Sequence, residues 1–165
     1  MRRALLPLAV VVAAALVLLG GRDDAAPADP LAGRVVRVVD GDTVRVRLDG
    51  GVVAVRYIGI DTPESGRPDT PVQCYARRAT AENARLVAGR RVRLVLDAER
   101  RDRFGRLLAY VFRVGDGVFV NAALVRGAYA RTLTIPPNVR FAGRFAALAR
   151  DARRERRGLW GACAR

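Results

Sequence analysis

Acids are scarce in this chain, 16 against 30 basic residues, yet several gather at short turns beside apolar runs. Asp40 and Asp42 flank Gly41 in "VVDGDTV", and Asp61 and Glu64 sit in "IDTPES". Arg56 stands inside the apolar run "GVVAVRYIGI", ahead of Asp61, while Arg106 follows a glycine in "DRFGR" and precedes another apolar run. Each piece alone has a plain structural use. Asp-Gly favours a hairpin turn, proline stiffens "DTPE", a strand arginine reaches solvent along its stem, and "DRFGR" reads as a basic turn. Together they describe chemistry. Carboxylates at adjacent strand ends offer hard oxygen donors to a divalent cation such as calcium. Arg56, in the same strand as one of them, aims a guanidinium fork at whatever anion that cation holds.

Composition narrows the options. The formal net charge is +14, and every basic side chain is arginine, since lysine and histidine are absent. Net charge of that size favours a polyanionic partner, and guanidinium pairs with phosphate in a bidentate way. Without histidine there is no imidazole acid–base catalysis, no Ser-His-Asp triad and no ordinary zinc site. Two cysteines far apart make no thiolate cluster, so a metal here takes oxygen ligands, as calcium or magnesium does.

The elements that must hold these residues follow a period of two from Gly33. "RVVRVV", "TVRVRL" and "VVAVRYIGI", separated by Asp-Gly turns, predict a three-stranded antiparallel meander. A loop over residues 61–73 follows, then a helix from Tyr75 that stops at Gly89. "RVRLVLDAE" and "LLAYVFRV" predict a fourth and a fifth strand, the fifth turning at "GDG" into "VFV". Asn121 is expected to cap a short helix, "AALVRG". A last helix carries Phe141, Phe145, Leu148 and Ala152 at helical spacing. The fold expected is mainly β with helices (α+β): a five-stranded OB-fold barrel with three helices.

The N-terminal residues 1–21 read as a signal peptide or a retained membrane anchor. Two arginines precede an apolar run over residues 4–19, short for a span of about 20 residues. Residues 22–32 read as a Pro/Ala linker, and residues 33–165 as the domain. Export makes Cys74 and Cys163 interpretable, because an oxidising compartment lets them bridge; two unpaired thiols are the alternative. A bridge between them stabilises the fold by roughly 4 kcal/mol on a chain-entropy model.

The ordered segments "VVRVVDGDTVRV", "VRYIGIDTPE", "DRFGRLLAYVF", "VNAALVRGAYA" and "GLW" resemble the staphylococcal nuclease (thermonuclease) family from about residue 33 to 161. The resemblance implies an OB-fold and calcium-dependent hydrolysis of DNA and RNA by a sugar-nonspecific endonuclease that leaves 3′-phosphates and prefers single strands. It implies Asp42 and Asp61 as calcium ligands with the Thr62 carbonyl a third, and Asp40 as support through water. Glu64 matches the general base, and Arg56 and Arg106 the pair that grips the phosphate. Arg103 and Phe104 match phosphate-contacting positions, although a well-known member has lysine and tyrosine there. "RTLTIPPN" also lacks the tyrosines that stack near the base in that member. The expected product is an exported monomer without protein partners, free or anchored outside the membrane by residues 4–19. A non-catalytic barrel that binds single-stranded nucleic acid is the rival reading.

Overall fold

The structure is a computed structural model and describes residues 31–64, 66 and 71–163. The expected signal or anchor at 1–21 and the linker up to residue 30 lie outside the described residues. Strand β1 (Leu31–Val38) includes two residues assigned above to the linker, because Leu31 and Ala32 pair with Leu94 and Arg93. Strands β2 (Thr43–Leu48) and β3 (Gly51–Tyr57) complete the expected meander. β5 (Arg91–Val95) and β6 (Leu107–Arg113) close it into a five-stranded barrel of order β1-β2-β3-β6-β5, with β3 and β6 parallel. This is the OB-type α+β architecture read from the sequence.

Alternation decides which side chains enter the barrel. Val44 and Val46 point in with no exposed surface, while Arg45 and Arg47 point out. Val55, Val92, Leu94 and Val111 fill the same interior, each contributing about 1.5–3 kcal/mol of burial. Helix α1 (Ala76–Val87) buries Ala79, Leu86 and Val87; α2 (Val120–Arg126) packs against both α1 and α3 (Ala142–Arg154). Phe145 of α3 and Phe119 and Phe141 surround Tyr110 of β6.

Several local expectations are corrected. "VVAVRYIGI" is not one strand. The chain breaks at Gly59, whose φ of 80° suits glycine and whose missing Cβ leaves room for the Phe145 ring, 2.5 Å from where a Cβ would stand. A two-residue strand β4 (Ile60–Asp61) then pairs with β7 (Arg131–Thr132). Asn121 is not a cap but a buried clamp. Its Oδ1 accepts from the Val111 N–H at 2.9 Å and its Nδ2 donates to the Ile58 carbonyl at 2.9 Å, tying α2 to β6 and to the end of β3. Tyr75 sits ahead of α1 in left-handed conformation, and a short fourth helix, α4 (Leu159–Ala162), follows a break at Gly158. Among the described residues no helix is long and apolar enough to cross a membrane.

Candidate active site

The turn between β1 and β2 carries the first two acids. Asp40 Oδ1 accepts the Asp42 N–H at 3.0 Å, which folds the turn on itself. Asn83 of α1 donates to the Asp40 carbonyl at 2.8 Å and accepts from the buried Tyr57 hydroxyl at 3.0 Å. Asp42 is 5% exposed; its Oδ2 accepts from the Thr62 N–H at 2.7 Å and the Thr62 hydroxyl at 2.9 Å. Gly41 permits this approach, since a Cβ there would lie 2.6 Å from Thr62 Oγ1. Thr62, expected as a ligand through its carbonyl, thus also fixes Asp42 through its other polar groups.

Register explains the arginine inside β3. Thr43 faces Arg56 across the β2–β3 ladder, which sets the guanidinium beside Asp42. Arg56 Nε lies 3.1 Å from Asp42 Oδ1, and Nη2 donates to Asp61 Oδ1 at 2.9 Å. Nη1 donates to the carbonyls of Tyr57 and Ile60 at 2.9 and 2.8 Å. Those carbonyls are exposed to it by the break at Gly59, so the strand interruption and the charge belong to one design. Asp61 is held from its other side by register with Arg131.

Arg56 also lines a cleft of about 490 Å³ that it shares with Arg106, Arg103, Phe104, Leu133 and Ile135. The parallel ladder brings this about: Val55 pairs with Leu107, so Arg106, one residue before Leu107, arrives beside the end of β3 that carries Arg56. Arg106 Nε donates to Asp102 Oδ2 at 2.7 Å, and the amides of Arg106 and Phe104 donate to Asp102 Oδ1 at 3.0 and 2.9 Å. Burial pushes the Asp102 carboxyl up, but the Arg106 side chain and these two amides outweigh it and hold it below 3.8. Phe104 is 68% exposed, with the guanidiniums of Arg103 and Arg106 at 4.8 and 5.5 Å from its ring centre.

Glu64 is positioned through its backbone. Its N–H donates to Gln73 Oε1 at 3.0 Å, and the Gln73 N–H donates back to its carbonyl at 3.0 Å. The next residue, Cys74, is bonded to Cys163 in a disulfide, which joins the clasp to α4. In turn α4 is tied to the end of α2, because the Leu159 N–H donates to the Ala128 carbonyl at 3.0 Å.

The acids are close enough to feel one another. Burial and then the Asp42 charge push Asp40 up to about 6 from 3.8. Asp61 is also raised, by burial first; Arg56 opposes this, while Asp42 and Glu64 add to it. Negative charge is therefore in excess of the guanidinium facing it. Clustered hard oxygen donors of this kind suit a divalent cation of the calcium type. Among the described residues, however, no three acidic, cysteine or histidine side chains converge as a ready-made metal cage. Asp42 and Asp61 would hold such an ion with water completing its shell.

The structure thus gathers Asp40, Asp42, Asp61 and Thr62 around Arg56, and lines one cleft with Arg56, Arg103, Phe104 and Arg106. Glu64 joins the first group through its charge; Asp40, Asp42, Asp61 and Glu64 are not cleft walls and meet the cleft through Arg56, while Asp102 and Glu99 do line it. Sequence reasoning passed over Asp102, Asn83 and Gln73, which position these side chains. Only Asp102 left a signal, an acid four residues before Arg106 across a turn glycine.

Fold and cleft together define an OB-fold protein with carboxylates and guanidiniums opposed at one end of its barrel. A profile of the family described as Staphylococcal nuclease homologue matches residues 54–162. The chain is 38% identical to Thermonuclease of Staphylococcus hyicus over 127 residues, 77% of this chain and 74% of that protein. It is 39% identical to Thermonuclease of Staphylococcus intermedius over 126 residues, with 76% and 74% covered. An uncharacterized endonuclease of Escherichia coli is 37% identical over 132 residues, with 78% and 76% covered. The chain belongs to the staphylococcal nuclease family.

Proposed function

We propose that this member of the family is a nuclease that hydrolyses phosphodiester bonds of DNA and RNA without regard to the sugar. It depends on calcium, leaves 3′-phosphates and prefers single strands. The observation that carries the reading is Arg56, which touches both Asp42 and Asp61 while walling the cleft it shares with Arg106.

Attack on phosphorus builds negative charge on the phosphoryl oxygens, and an efficient enzyme has to lower the barrier by roughly 20 kcal/mol. Arg56 and Arg106 answer that charge with positioned guanidinium donors. Arg56 grips a phosphate by turning Nη2 from Asp61 to a phosphoryl oxygen. Asp102 keeps the Arg106 fork aimed, and Phe104 with Arg103 offers a ring and a further charge to the neighbouring nucleotide. Glu64 orders the attacking water and accepts its proton as the general base. A bound calcium ion supplies Lewis-acid polarisation of a phosphoryl oxygen.

The protein acts as an exported monomer, free or anchored by residues 4–19. The disulfide supports this location, since such bonds persist in oxidising compartments. The test is degradation of single-stranded DNA with calcium and with a chelator. Activity is expected only with calcium, and equal activity in both removes the cation from the reading. Glu64→Gln is expected to lose most turnover while keeping substrate binding; unchanged turnover removes Glu64 from the chemistry.

A further inference from the structure

The outer face of the barrel carries a second feature. Arg34 of β1 stands directly opposite Arg47 of β2 on one side and opposite Arg91 of β5 on the other. All three are exposed, so a row of guanidiniums crosses three strands set about 4.8 Å apart. Nearer the catalytic turn, Arg37 faces Arg45 in the same way. That second rung exists because β1 is irregular. Simple alternation from Arg34 would turn Arg37 inward, but the register shifts between Val35 and Arg37, and Val36 and Arg37 are both exposed. A bulge of this kind re-aims a side chain, and here it adds a charge to a face already charged. Arg93, over the Phe112 ring at 4.6 Å, extends the patch along β5.

Like charges directly opposed across a ladder are destabilising, and this face holds three such pairs. Acids do not offset them: among the described residues none of these six arginines forms an ion pair. Arg34 Nη1 donates to the Gly89 carbonyl at 2.7 Å. Some arginines elsewhere do have an acidic neighbour, as Arg85 has Glu82 and Arg154 has Asp151. Strand register thus sets arginine beside arginine across β5-β1-β2, with one end of the β1–β2 ribbon at the turn that bears Asp40 and Asp42.

We propose that this face is a second contact site for the nucleic-acid backbone, outside the catalytic cleft. It holds a polymer by its phosphates while another stretch of the same strand is cut, and it favours long substrates over short ones. Regular spacing of charge fits a phosphate backbone rather than bases, so the contact carries no sequence preference. The inference rests on the nuclease reading only for its consequence in catalysis; the contact itself does not require cleavage.

The test uses the full chain and a variant with Arg34→Gln, Arg37→Gln, Arg45→Gln and Arg47→Gln. Binding to a single-stranded 40-mer is followed by fluorescence anisotropy in chelator over a series of salt concentrations. Four lost phosphate contacts are expected to flatten the slope of log affinity against log salt by about 2 to 3. The corresponding four-lysine variant is expected to keep the slope, which separates charge from loss of structure. In calcium, KM for the polymer is expected to rise about tenfold, following the same lost contacts, with kcat on a dinucleotide unchanged. An unchanged salt slope overturns the proposal, whatever the activity. Loss of binding only to vesicles of phosphatidylglycerol and phosphatidylcholine, with the DNA slope intact, also overturns it and assigns the face to a lipid surface. If the wild type cuts neither polymer nor dinucleotide but the slope still falls, the contact site stands and the nuclease reading fails.

Discussion

Gln73→Ala isolates the backbone clasp on Glu64. The substitution removes the Oε1 acceptor of the Glu64 N–H but leaves the reciprocal bond from the Gln73 N–H and the neighbouring disulfide in place. A side-chain hydrogen bond of this kind is worth about 1 kcal/mol net, which is roughly a fivefold change in the population of the opened clasp. Amide hydrogen exchange at Glu64, read by NMR, should therefore accelerate by about fivefold. Exchange in the barrel strands should stay put, because no core side chain is touched. Gln73→Glu keeps a side-chain oxygen at the same reach and should restore slow exchange. Where Glu64 works on the attacking water, kcat falls with Gln73→Ala while KM does not move, since the loss is of orientation rather than of grip. Exchange at Glu64 within twofold of the wild type would refute the clasp.

Removing the disulfide with Cys74→Ser and Cys163→Ser frees a loop of sequence separation 89. Chain entropy sets an upper bound of about 4.6 kcal/mol, and a loss of roughly 2–4 kcal/mol by urea unfolding is expected, reproduced in the wild type by reductant. A loss below about 0.5 kcal/mol would contradict the entropic argument. Asn121→Ala leaves the Val111 N–H and the Ile58 carbonyl buried without their partner and should cost roughly 2–4 kcal/mol by the same measurement. A variant as stable as the wild type would show that water replaces the amide. Asp102 has a carboxyl held below 3.8 by Arg106 and two amides, so its contribution is present above that value and lost as pH falls through its folded-state pKa. The Tm gap between wild type and Asp102→Asn should thus be level near neutrality and close below about pH 4; a gap that widens in acid would reverse the assignment.

The parts legible in the sequence are those set by local pattern. The alternation in "TVRVRL" and the Asp-Gly turns are readable within a few residues, so the meander and the placing of Asp40 and Asp42 at a strand end followed directly. The break after β3 was hidden because Ile58 and Ile60 continue an apolar run. Only the Phe145 ring, far along the chain, gives Gly59 its reason. Asn121 looked like a cap because asparagine commonly caps; its true partners are Ile58 and Val111, one of them 63 residues away. The pairing of β4 with β7 and the parallel closure of β3 on β6 are likewise non-local. Proximity of Arg106 to Arg56 came from family resemblance rather than from periodicity, and Gln73 offered no signal at all, since a glutamine in a loop is the commonest of residues to overlook.

Charge placement ties these observations together. The chain carries +14, yet it spends scarce acids on one turn and one short strand, where burial and then the Asp42 charge raise Asp40 and Asp61. It also sets arginine against arginine on the outer sheet. Neither arrangement helps the fold: a buried ion pair such as Arg56 with Asp42 is weak evidence for stability, and opposed guanidiniums weaken a ladder. Rearranging the same residues as ordinary cross-strand ion pairs would have relieved both. Acids crowded at one site and arginines crowded on one face are, on the proposed reading, explained by partners of opposite sign, a cation for the acids and phosphate for the arginines. On the proposed reading the two partners meet at Arg56, which touches Asp42 and Asp61 and also walls the cleft.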